Sequence, residues 1–90
     1  MAYASVESYE EMISALTNFQ AQVDGKCSEM EMCANDCVTN TRNDPAAIKA
    51  CDELKGNIAK IRGTFDTIQN IIKALKEELE EIQKAQSAMD

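Results

Sequence analysis

Ninety residues suit one small domain, and a single Pro, three Gly, no Trp and no period-two runs of β-branched residues argue against a sheet. Sixteen acidic against nine basic residues give a formal charge of −7, the wrong sign for neutralising nucleic-acid phosphates or docking on anionic membrane surfaces. Apolar runs such as Met32-Cys33-Ala34 and Ala46-Ala47-Ile48 are far shorter than the roughly 20 residues a membrane span needs.

Residues 1–5 read as a short tail, and Met-Ala-Tyr-Ala-Ser lacks the basic start and apolar stretch of a conventional signal peptide. Ser5 or Ser8 is then placed to cap a first helix, with Glu10 and Glu11 in its opening turns, where the helix dipole favours acid. Ser8 and Glu11 also have capping-box spacing. From about residue 5 to 42, Val6, Tyr9, Ile13, Leu16, Gln20, Val23, Cys27, Met30, Ala34, Cys37 and Thr41 alternate steps of three and four. That is the spacing of one helix face. Asp24-Gly25 is its weak point and predicts a local bend, since a helical Gly costs about 1 kcal/mol relative to Ala.

Asn43-Asp44-Pro45 is the one strong turn signal, placed at 43–45. Asp44 suits an N-cap, and Pro45 suits the first helical position, where no N–H donor is needed. A second helix is predicted over about 45–87, with Ala47, Cys51, Leu54, Ile58, Ile61, Phe65, Ile68, Ile72, Leu75, Leu79 and Ile82 along its apolar face. Gly56 and Gly63 lie seven apart on similar faces, either as tolerated glycines or as a groove for close helix approach. Lys73-Glu77, Lys76-Glu80 and Glu80-Lys84 are spaced four apart and read as a solvated face.

Folded back at the turn, the two apolar series pair so that residue numbers add to about 88, joining Cys37 to Cys51, Ala34 to Leu54, Leu16 to Ile72 and Val6 to Ile82. The expected fold is all-α, a single antiparallel two-helix coiled-coil hairpin over residues 1–90. Met12, Phe19 and Cys33 form a second apolar flank at seven- and fourteen-residue spacing, and Ile71 adjoins the seam on the second helix. Val38 and Ile48 near the turn can cover the seam's edges; Phe19 and Ile71 are larger and far from it. A widened apolar face of this kind belongs to bundles. Met12, Phe19 and Ile71 are therefore the interface candidates for dimerisation into a four-helix bundle, as a homodimer or a heterodimer with a related helical protein.

Cys37 and Cys51 share a predicted layer. A disulfide there would close a loop of about 14 residues and add roughly 3 kcal/mol in the chain-entropy model. The alternative is two reduced core thiols, because free Cys behaves as a small apolar residue. Cys27 and Cys33 have no clear pairing and are candidates for free or intermolecular thiols. Cys27 lies about 15 Å along the helix from Cys37, too far for one tetrahedral metal centre, and there is no His to complete a set. No metal, cofactor or catalytic site is expected, since no obvious base or cation cluster activates a thiol.

A helix-turn-helix of this length, with an acidic balance and no signal peptide, resembles the small helical-hairpin substrates of type VII secretion, the tryptophan-x-glycine or early-secreted-antigen-like proteins. The resemblance is architectural and covers nearly the whole chain. Asn43-Asp44-Pro45 stands where that family has Trp-x-Gly. Its Tyr-x-x-x-Asp/Glu export motif is missing from the C-terminal tail, and Tyr3-Ala4-Ser5-Val6-Glu7 has the spacing at the opposite end. The resemblance implies a non-enzymatic hairpin that dimerises, and its departures favour an accessory partner for the helical N-terminal region of a larger effector. The implied location is outside the cell without a classical signal peptide, or the cytoplasm before export. Two other readings are a cysteine-based metal or redox protein and a cytosolic coiled-coil adaptor.

Overall fold

The computed structural model describes residues 2–89, with side chains from Val6 onward. All three elements are helices: α1 (Ala2–Asn40), α2 (Pro45–Gly63) and α3 (Phe65–Met89), and no strand occurs among the described residues. The helices group into two compact units. The terminal unit joins residues 1–20 to residues 66–90, and the turn unit is Ala21–Phe65.

The turn unit is an antiparallel helical hairpin, and its connection is built from local chemistry. The N–H of Asn43 donates to the Val38 carbonyl at 2.9 Å and that of Arg42 to the Thr39 carbonyl at 3.1 Å. This pair of bonds is the Schellman pattern that ends a helix. It requires a left-handed residue, and Arg42 takes it at φ 57°, followed by Asn43 at φ 62°. Thr41 donates both its N–H, at 3.0 Å, and its hydroxyl, at 2.9 Å, to the Cys37 carbonyl. Asp44 then caps α2 as expected: its Oδ2 accepts from the N–H groups of Ala46 and Ala47 at 3.1 and 3.2 Å, with Pro45 following it.

Other boundaries differ from the sequence expectation. Helix α1 begins at Ala2, so Ser5 and Ser8 lie inside it rather than capping it. Ala2 and Ala4 are good helix formers that let the helix extend past the serines. Helix α1 runs without interruption through Asp24-Gly25, as one helix over this span was expected to. The unexpected interruption falls on the returning limb, where Gly63 ends α2 and Thr64 donates both its N–H, at 3.0 Å, and its hydroxyl, at 2.7 Å, to the Ile61 carbonyl. The expected helix over 45–87 is thus two helices, α2 and α3.

In the turn unit Cys27, Ala34, Cys51 and Ile58 are buried, flanked by half-buried Val23, Leu54 and Phe65. The seam departs from the predicted phase midway. Met30 (37 % exposed) and Ile61 (39 % exposed) sit at its edge, and Glu31 and Arg62, one residue on, take half-buried positions. Nearer the turn Cys37 and Thr41 are exposed while Val38 is half-buried. The physical reason is an ion-pair cluster around Arg62, described below, which favours the 27, 31, 34, 38 phase over 27, 30, 34, 37. In the terminal unit Ile72 is buried, and Tyr9, Ile13, Leu16, Ile68, Leu75 and Leu79 are half-buried. Gln69 Nε2 donates to Gln20 Oε1 at 3.0 Å, a pair whose numbers fit the expected register.

Candidate interaction site

Besides Met89 near its end, the terminal unit leaves Phe19, Met12 and Ile71 in solvent among its large apolar side chains. Phe19 is 54 % exposed, Met12 50 % and Ile71 44 %. Met12 and Phe19 share a face of α1 by their seven-residue spacing, and Ile71 follows Gln69, which bonds across to Gln20 next to Phe19. Ile71 and its neighbour Ile72 face differently: Ile72 is 4 % exposed and belongs to the core. Cys33, expected on the same stripe as Met12 and Phe19, is exposed but belongs to the turn unit.

The terminal unit is also strongly acidic, on grooves that Met12, Phe19 and Ile71 do not line. Glu7, Glu10 and Glu11 line one shallow groove of the terminal unit, and Glu77, Glu78, Glu80 and Glu81 line another. Most of the formal −7 falls in this unit, where nine acidic residues meet three lysines. Of the expected four-spaced pairs on α3, Glu80–Lys84 closes, at 3.5 Å with both partners exposed, a contact of little energetic weight. The Tyr3 side chain, part of the Tyr-x-x-x-Glu spacing, lies outside the described residues.

The turn unit holds the polar cluster that sequence reasoning missed. Arg62 Nη1 donates to Glu31 Oε1 at 2.6 Å, Nε to Asp24 Oδ1 at 3.0 Å and Nη2 to Ser28 Oγ at 2.9 Å. The hydrogen bond to Glu31, then that to Asp24, holds the guanidinium pKa above its ordinary value. A signal existed: Asp24, Ser28 and Glu31 fall at i, i+4 and i+7, one face of α1, and Arg62 lies opposite them when the numbers are paired.

All four cysteines are free thiols. Cys27 and Cys51 are buried, whereas Cys33 and Cys37 are exposed. Cys37 and Cys51, expected in one layer, do line one groove of about 200 Å³ together with Ala34, Ala47, Ala50 and Leu54. The Cys51 Sγ points to Asn35 Oδ1 at 4.0 Å. Among the described residues no group of three or more His, Cys, Asp and Glu side chains is placed to hold a metal ion. Nor is any described helix long and apolar enough to cross a membrane. The Cβ positions that would be added at Gly25, Gly56 and Gly63 meet open space, so no helix of this chain packs closely against them. No family model, curated protein or solved structure matches the chain.

Proposed function

We propose that this chain is a non-enzymatic helical interaction protein whose terminal unit receives an amphipathic helix of a larger partner. It would act as the accessory hairpin of an exported effector, the role its resemblance to type VII secretion substrates suggests. The observation that carries this reading is the exposure of Met12, Phe19 and Ile71 in a unit with a single buried side chain, Ile72, among its described residues.

Charge narrows the occupant. A second copy would carry the same net negative charge, a like-charge approach that disfavours association. A helix whose apolar stripe is bordered by Lys and Arg would instead be attracted to the acidic terminal unit.

Sedimentation separates these occupants. The chain alone, and mixed with the helical N-terminal region of an effector encoded beside it, is run at tens of micromolar in low and high salt. The expected result is a monomer alone and a one-to-one complex that weakens as salt rises, because screening removes the attraction between opposite charges. Phe19→Asp or Ile71→Asp should weaken the complex at least tenfold while the helical circular dichroism signal stays unchanged. A homodimer that tightens with salt would replace the basic partner by a second copy. Failure to associate under any condition would remove the interaction role altogether.

A further inference from the structure

We infer that Cys37 and Cys51 are the site of a reversible intramolecular disulfide that fastens the turn end of the hairpin. The inference stands apart from partner binding, since both residues belong to the turn unit.

Three observations converge on this pair. The two cysteines line the same groove, and Ala34, Ala47 and Ala50 make up most of the remaining wall. Leu54 is the one large side chain of that wall. Packed helices have axes about 8–10 Å apart with Cα atoms about 2.3 Å off axis, which brings facing Cα atoms near the ~4.4–6.8 Å that a disulfide spans. Second, Cys51 also lines a neighbouring groove with Asn35, Val38 and Ile48, and it is there that its Sγ meets Asn35 Oδ1 at 4.0 Å. A thiol is a weak donor, so this contact does little to hold the sulfur. The bridge requires the sulfur to turn from this contact into the groove it shares with Cys37. Third, the Schellman bonds of Arg42 and Asn43 and the Asp44 cap fix how the two limbs leave the turn, a few residues from both cysteines.

Exposure assigns the order of events. Cys37 is exposed and Cys51 buried. The deprotonated Cys37 sulfur attacks a small-molecule disulfide such as oxidised glutathione, breaking its S–S bond and releasing one thiol. The Cys51 sulfur, giving up its proton to solvent, then attacks Cys37 and expels the second thiol. Two protein thiols are oxidised, the small disulfide is reduced to two thiols, and the electrons balance. Cys27, 1 % exposed, and Cys33, absent from the groove, take no part.

The full chain is equilibrated in buffers of oxidised and reduced glutathione, quenched with a thiol alkylator, and read by intact mass and peptide mapping without reduction. The expected species is a monomer with two fewer alkylatable thiols and a Cys37–Cys51 linked peptide, and its thermal midpoint lies above that of the reduced chain. Cys37→Ser, at an exposed position, should abolish the linkage without affecting the fold, and Cys33→Ser should leave it intact. Accumulation of glutathione on Cys37 with no linked peptide, a Cys33–Cys37 bridge, or a dimer joined through Cys33 would each overturn the assignment.

Discussion

Arg62 holds three side chains of α1 at once, and a lysine cannot copy that. Its fork reaches Asp24, Ser28 and Glu31 with separate nitrogens, whereas an ammonium is a single compact charge. Arg62→Lys should lower the denaturant midpoint of the chain at low salt, and the difference from the parent should shrink as salt rises. Ile58 gives the apolar contrast. At 1 % exposure, Ile58→Val should cost about 1 kcal/mol in a urea titration irrespective of salt. Sequence reading placed Ile58 in the core but missed Arg62, for a physical reason. Met30 and Glu31, like Ile61 and Arg62, are adjacent, and steps of three-then-four and four-then-three both fit a helix of about 3.6 residues per turn. Hydrophobicity alone chose Met30 and Ile61; the charge cluster chose the other phase.

Elements whose ends rest on short-range chemistry were legible, and those whose ends rest on weak propensity were not. Asp44-Pro45 satisfied two independent local rules, a side-chain cap and a fixed φ, and the structure places both in those roles. Ser8 and Glu11 matched a capping pattern equally well on paper, yet nothing around them stops the helix, and α1 passes through. Glycine positions differed in effect. The first helix continues through Gly25, as expected, whereas the unexpected break came at Gly63-Thr64, where a threonine hydroxyl competes for the Ile61 carbonyl. Asp44→Ala should therefore destabilise by about 1 kcal/mol through the lost bonds to Ala46 and Ala47. Gly25→Ala should stabilise by up to about 1 kcal/mol, since open space surrounds its added methyl. Thermal unfolding followed by circular dichroism measures both, and a loss of stability in Gly25→Ala would mean that residue 25 is needed as Gly.

For the whole molecule, the helical class and the doubling back near residue 44 followed from periodicity and one turn, while the candidate site followed from exposed residues that the seam did not need. Met12, Phe19 and Ile71 were legible because surplus apolar side chains stand out against a regular repeat. What would cover them in the proposed complex is not written in this chain, because a partner's half of an interface lies in another sequence. The connection at residues 41–44 has a last consequence. Arg42 is exposed, in left-handed backbone, and outside any helix, whereas the lysines at 26, 49, 55, 60, 73, 76 and 84 and Arg62 lie within helices. Trypsin needs an extended segment, so its first cut should fall at Arg42–Asn43. The cut turns one chain into two, residues 1–42 and 43–90, joined only by side-chain packing. Dilution would then separate pieces that the intact backbone keeps at high effective concentration.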